Sequence, residues 1–231
     1  MSEISENLAR LWERIEMAAR RSGRNPAAVR LVAVSKTVEA ERVLQAIEGG
    51  VKILGENYVQ EAQKKIEALG HEVAWHFIGH LQTNKAKVAT RLFDLIHSVD
   101  SLTLAEELHR QALKGGKMLP ILLQVNIGGE ATKFGAQEKE IIRLAEKLSE
   151  LEGLAVKGLM TLPPYSDDPE SSRPYFIELR KLSERLAQQK LPRIWMEELS
   201  MGMSNDFGVA IEEGATLVRV GTAIFGPRPI K

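Results

Sequence analysis

Leu31-Val32-Ala33-Val34-Ser35-Lys36-Thr37 is the stretch whose reading decides the fold. Its four leading apolar residues run without interruption, the signature of a strand buried on both faces in a parallel sheet. That strand ends on a lysine. Upstream, Ile4, Leu8, Leu11 and Ile15 fall at helical spacing behind Ser2, a good N-cap, so an amphipathic helix lies against the domain. Downstream the same unit recurs. Strand patterns fall at 30–35, 51–54, 74–78, 94–98, 119–126, 155–160, 194–200 and 216–220. Helical patterns at 39–49, 57–69, 83–91, 102–114, 137–151, 172–189 and 205–213 separate them. Eight strand–helix units in 231 residues predict a closed (β/α)8 TIM barrel as a single domain over 1–231. An open doubly wound sheet is the competing architecture, but no Gly-x-Gly-x-x-Gly run follows the first strand.

Composition narrows the function. Lys+Arg and Asp+Glu number 31 each and no basic stripe stands out, which argues against nucleic acid. There is no cysteine, so disulfides, thiol catalysis and thiolate metal sites are excluded together. Met1 to Arg24 is charged throughout and has no apolar signal core. No apolar run nears the ~20 residues that span a bilayer. The expectation is a cytoplasmic protein that does not engage membranes.

A barrel of this kind carries its chemistry at the C-terminal ends of the strands. The polar residues expected there are Lys36, Glu56-Asn57-Tyr58, His80, Asp100, Asn126, Thr161, the Ser200–Asp206 segment and Gly221-Thr222. Lys36 either snorkels to solvent or, losing hydration, becomes a nucleophile that captures carbonyl compounds as Schiff bases. Gly202-Met203-Ser204-Asn205-Asp206 and Gly221-Thr222-Ala223-Ile224-Phe225-Gly226 stand after strands 7 and 8, where barrels often bind phosphate. Each alone also fits an ordinary turn with a hydroxyl N-cap; both at the expected places favour phosphate. Arg219 interrupts the last strand, and a structural ion pair with Glu56, Glu197 or Glu198 is one reading of it.

Other chemistries fare worse. His71 and His76 are five apart, not the four that put two ligands on one helix face, so no metal site is expected. Glu197-Glu198 evokes a glycosidase pair, but three Trp and three Tyr are few for stacking sugars. Pro163 to Ser172, with three prolines and two aspartates, is expected to be a surface loop.

Seven segments occur together in order: AVSKT at 33–37, GENYVQE at 55–61, WHFIGHLQTNK at 75–85, HSVD at 97–100, GLM at 158–160, LSMGMSNDF at 199–207 and RVGTAIFGPR at 219–228. Over nearly its whole length the chain resembles the pyridoxal-phosphate homeostasis proteins, the YggS/PROSC family. That resemblance implies a fold type III pyridoxal-phosphate barrel like the N-terminal domain of alanine racemase. Lys36 would hold pyridoxal 5'-phosphate as an aldimine. Ser204, Gly221 and Thr222, with the backbone of Met203, would hold the phosphate. Arg219 would face the pyridine nitrogen and Asn57 would lie near the ring. Arginine keeps its proton at neutral pH, so the ring would be a modest electron sink. With the chain ending at Lys231, the expectation is that no second, β-rich domain supplies a tyrosine base.

The function expected is a carrier or regulator in vitamin B6 and amino-acid homeostasis, with no catalytic residue assigned. Its partners would be the cofactor and apo-enzymes that use it, and the family precedent points to a monomer. An amino-acid racemase is the alternative. A class I aldolase using Lys36 on a phosphorylated sugar is a third reading.

Overall fold

Eight parallel strands hydrogen-bond in chain order and close into a barrel in a computed structural model that describes residues 2–129 and 134–227. They are β1 (Arg30–Val34), β2 (Ile53–Glu56), β3 (Ala74–Phe77), β4 (Leu95–Val99), β5 (Leu119–Val125), β6 (Leu154–Thr161), β7 (Ile194–Ser200) and β8 (Leu217–Val220). Closure comes from β1, which pairs with β2 on one side and with β8 on the other, Val32 opposite Arg219. The helices are α1 (Glu3–Arg21), α2 (Ala40–Glu48), α3 (Val59–Leu69), α4 (Ala86–Leu92), α5 (Leu102–Lys114), α6 (Glu138–Leu148), α7 (Arg173–Gln188), α8 (Phe207–Glu212) and α9 (Thr222–Phe225). None is long and apolar enough to cross a membrane among the described residues. Arg228, which ends the last family segment, and Lys231 lie outside the described residues.

Alternation along each strand builds two cores. Outward residues such as Trp75, Phe77 and Ile96 pack under the helices. Inside the barrel, Val32, Ile53, Leu95, Leu122, Met160 and Leu217 form a separate apolar layer. One step toward the C-terminal end, His76, His97, Gln124, Ser200 and Arg219 are buried in a polar layer. The first helix behaves as its spacing predicts: the Ser2 hydroxyl caps it by accepting from Ser5 N at 3.2 Å, and Ile4, Leu8, Leu11 and Ile15 are buried. Asn7 on α1 and Arg42 on α2 donate to the carbonyls of Ile224 and Phe225 at 2.9 and 2.7 Å, anchoring the short α9 from outside.

The second strand departs from its expected bounds of 51–54. It runs from Ile53 to Glu56 because Glu56, fully buried, is accommodated by an ion pair with Lys65 on α3 at 2.8 Å. Hydropathy alone stops the strand before a carboxylate. Val51 belongs instead to the turn after α2, its N–H bonded to Ala46 O at 3.1 Å.

Candidate functional site

A cavity of about 600 Å³ opens at the C-terminal end of the strands, within the usual range for small-molecule sites. Lys36, Asn57, Met203, Ser204, Arg219, Gly221 and Thr222 all line it. Lys36 is half-buried at the end of β1 and is the one lysine among the described lining residues. Asn57 follows β2, and its Oδ1 is buried without a hydrogen-bond partner. Gly79 at the end of β3 packs so closely that a Cβ there would sit 2.4 Å from Asn57 O, which makes glycine obligatory and fixes the Asn57 backbone.

The loops after β7 and β8 meet across the cavity. Thr222 Oγ1 lies 3.0 Å from Ser204 Oγ, so two hydroxyls from different strand ends form one polar wall. Gly202 makes the first loop feasible: its φ is +90°, and a Cβ would strike Ala210 Cβ at 2.6 Å. The Met203 N–H donates to Asp206 Oδ1 at 2.7 Å, a local use that spacing did not reveal.

Arg219 points inward, as strand alternation requires, but has none of the ion pairs considered for it. Its guanidinium donates to Ser200 Oγ at 2.6 Å and to the Thr161 carbonyl at 2.8 Å. Glu56 is committed to Lys65, Glu197 to Lys157, and Glu198 to Arg30 at the opposite end of the barrel. The last of these also removes the glycosidase pair from the mouth. Burial pushes Arg219 down to about 10 while Asp206 opposes the shift, so it remains a cation at neutral pH. Behind it runs a buried chain: Ser200 Oγ is 2.8 Å from His97 Nδ1, and His97 Nε2 is 3.0 Å from His76 Nδ1. Arginine only donates, so Ser200 satisfies its own proton by giving it to His97 Nδ1. His97 then carries its proton on Nε2 and donates to His76. Desolvation holds His76 at about 3 and His97 well below its ordinary value, so both rings are neutral.

Some expected mouth residues stand aside. His80 stacks on Phe134 with ring centroids 3.8 Å apart, Asp100 Oδ2 accepts from Gly135 N at 3.2 Å, and neither these nor Asn126 line the cavity. The Pro163–Ser172 segment is exposed only in part: Tyr165, Asp167, Asp168, Glu170 and Ser171 face solvent, whereas Pro163 and Ser172 are buried, Pro169–Ser172 forms a 3-10 turn, and Pro164, Tyr165 and Ser166 form one wall of the cavity. Asn205 Nδ2 ties that wall to the β7 loop through Ser166 O at 2.9 Å. Sequence reasoning also missed a charged cluster behind Lys36. Lys65 Nζ donates to Glu56 Oε1 at 2.8 Å, to Glu61 Oε1 at 2.7 Å and to the Ser35 carbonyl. The Ser35 hydroxyl gives its proton to Glu56 Oε1 at 2.7 Å, and the Thr37 N–H donates to Glu61 Oε1. Burial pushes Glu56 up, with Lys65 pulling the other way.

Residues 7–229 match the family described as alanine racemase, N-terminal domain. The pyridoxal phosphate homeostasis protein of Aquifex aeolicus (strain VF5) is 47% identical over 224 residues, covering 96% of this chain and 97% of the relative. The chain belongs to the family of pyridoxal phosphate homeostasis proteins. The structure of PipY of Synechococcus elongatus PCC7942, with PLP bound, superposes with a TM-score of 0.85 at 38% identity, covering 97% of this chain and 100% of that one. An alanine racemase from Clostridium difficile 630 shares the barrel at a TM-score of 0.73 and 17% identity, and 57% of its length is covered. That likeness concerns the fold alone.

Proposed function

We propose that this protein binds pyridoxal 5'-phosphate at the barrel mouth and holds it without fast turnover, serving cofactor and amino-acid homeostasis. The observation that carries the reading is one cavity lined by a lysine at the end of β1, a hydroxyl pair 3.0 Å apart on the β7 and β8 loops, and the buried cation Arg219 from β8. The cofactor, when bound, supplies an aldehyde carbon that a lysine amine bonds with loss of one water. Lys36 offers the amine. Ser204 and Thr222, with the backbone of Gly221, offer donors to a phosphate; the Met203 backbone expected beside them has its N–H given to Asp206 Oδ1 and lines the cavity without offering that donor. Arg219 offers a permanent N–H donor to a ring nitrogen, and Asn57, whose Oδ1 is otherwise orphaned, supplies an acceptor beside the ring. The donor set fits a ligand with an aldehyde at one end and a dianion at the other.

Turnover needs a base poised over the substrate, and general-base help is typically worth ~10²–10⁴-fold. Tyr165 is the tyrosine on the cavity wall, and its hydroxyl donates to Asp167 Oδ1 at 2.8 Å. That bond pushes its pKa up, the wrong direction for a base. A cation opposite the ring nitrogen that keeps its proton weakens the electron sink as well. In this reading the whole chain, 1–231, is one cofactor-binding domain, and it works as a monomer in the cytoplasm. Its partners are the cofactor and the apo-enzymes that draw on it, with no role for nucleic acid or membrane.

The test is spectroscopic and chemical. Pyridoxal phosphate added to the protein should give a visible band that borohydride discharges, and mass mapping should find the pyridoxyl group on Lys36. A label on another residue, or none, overturns the assignment. Holo-protein in heavy water should exchange the α-hydrogens of alanine, serine and glutamate far below the ordinary range of ~1–10³ per second. Exchange within that range, lost in Lys36→Ala, would make the protein a racemase-type enzyme.

A further inference from the structure

We propose that Glu61 and Lys65, both on α3 and outside the cavity, are positioning residues that set the direction in which Lys36 presents its amine. The inference rests on the reading of Lys36 as the cofactor-binding residue. The direction of a Cα–Cβ bond is fixed once the planar peptide groups on either side of that Cα are fixed. Both planes flanking Lys36 are gripped from one helix. The carbonyl of the Ser35–Lys36 peptide accepts from Lys65 Nζ, and the N–H of the Lys36–Thr37 peptide donates to Glu61 Oε1. The two grips are locked to each other, because Lys65 and Glu61 are one helical turn apart and pair at 2.7 Å.

Two further observations point to geometry rather than to stability alone. Thr37 has a φ of +61°, a left-handed backbone that a β-branched residue adopts only when its surroundings impose it. Its own N–H is bonded to Glu61, and the turn around it is closed by Val38 N–H on Ser35 O at 3.0 Å. The cluster is also costly in kind: Glu56 and Lys65 are buried charges, and Glu56 Oε2 is buried with no partner. Well-packed apolar residues often serve stability as well as a buried ion pair does. What apolar residues cannot do is hold a carbonyl and an N–H on adjacent peptides at once. The Ser35 hydroxyl adds a third tether by donating to the same Glu56 oxygen that receives Lys65.

The experiment compares two ligands on intact protein. Pyridoxal phosphate bonds covalently to Lys36; 4-deoxypyridoxine 5'-phosphate has the same ring and phosphate but a methyl group in place of the aldehyde. Glu61→Ala removes one grip at a half-buried position. The double variant Lys65→Met with Glu56→Gln removes cation and anion together, leaving no uncompensated buried charge if Lys65→Met alone fails to fold. Because misplacing a reacting group by ~1 Å costs about 10²-fold, covalent capture should slow by about ten- to a hundredfold while the dissociation constant of the deoxy analogue stays within about twofold. Glu61→Gln, which keeps an acceptor oxygen for Thr37 N–H, should recover most of the rate. Parallel weakening of both ligands would reveal a merely structural cluster and overturn the inference, as would variants that capture the aldehyde at the wild-type rate. Wild-type protein that binds neither ligand would overturn the functional reading, and this inference with it.

Discussion

Lys65 and Arg219 are both buried cations, 7% and 4% exposed, on either side of the strand that carries Lys36. Lys65 meets two carboxylates and a carbonyl, so its charge is cancelled inside the protein. Arg219 meets a hydroxyl and a carbonyl, and no carboxylate pairs with it among the described residues. A cation neutralised internally can only fix shape. One surrounded by neutral partners keeps a field that reaches the cavity, where an electron-rich ligand can meet it. The same physical cost, charge taken out of water, is neutralised as scaffold on the β2 side and, on the proposed function, is left available for recognition on the β8 side.

Breaking the neutralised side should have the largest effect. Lys65→Met leaves Glu56 buried and uncompensated, and removing one partner of a buried pair typically costs about 3–5 kcal/mol. Urea unfolding should show a lower midpoint at unchanged slope, and a loss under ~1 kcal/mol would mean the pair is not the scaffold element inferred here.

Acid probes the chain behind Arg219. The folded protein keeps His76 neutral down to about 3, and His97 is also held well below the ordinary value of 6.5, whereas the unfolded chain takes up protons near that value. Below pH 6.5 the unfolded state therefore binds more protons, and stability falls as pH falls. The loss reaches up to about 1.4 kcal/mol per pH unit for each imidazole, or roughly 2–4 kcal/mol between pH 6.5 and 5. His76→Asn should flatten that slope; an unchanged slope would show that the rings titrate in the folded state.

The remaining effects concern the ligand. If Thr222 donates to the phosphate as proposed, Thr222→Ala removes a bond to a charged group worth roughly 1.5–3 kcal/mol, or about ten- to a hundredfold in affinity. Pyridoxal phosphate should weaken far more than unphosphorylated pyridoxal, and equal losses would move the phosphate elsewhere. The smallest expected change is the stability of Arg219→Met. Relief from burying an unneutralised cation offsets the orphaned Ser200 hydroxyl and Thr161 carbonyl, leaving the ligand-free protein within about 1 kcal/mol of wild type. Its cofactor affinity should still drop. A large stability loss would put Arg219 in the scaffold beside Lys65.

The barrel and the residues lining its mouth were legible because strand–helix rhythm fixes which positions stand at strand ends, and Lys36, Ser204 and Thr222 stand there. Partners across the fold were not. Arg219 was visibly anomalous inside a strand, but nothing local says that Ser200 and Thr161 receive it rather than a glutamate. Glu61 and Lys65 lie in a helical run with Gln60, Gln63, Lys64 and Glu67 that reads as a solvated face. Only the packing of α3 on β2 turns that edge inward, and the burial of Glu56 that lengthens β2 follows from the same contact. Prolines and aspartates after β6 announce a surface loop, but composition does not say that its ends, Pro163 and Ser172, are buried or that Pro164, Tyr165 and Ser166 wall a cavity.

The cavity brings together residues from the first and last strand ends of the barrel sequence. Lys36 and Thr222 are 186 residues apart along the chain, and they share a wall only because β8 docks beside β1. During synthesis at ~5–20 residues per second the lysine is made some ten to forty seconds before Thr222. A growing chain thus carries Lys36 without the β8 side of the cavity beside it. Ring closure and completion of the cavity arrive in the same step, so on the proposed function a bound cofactor would certify a finished barrel.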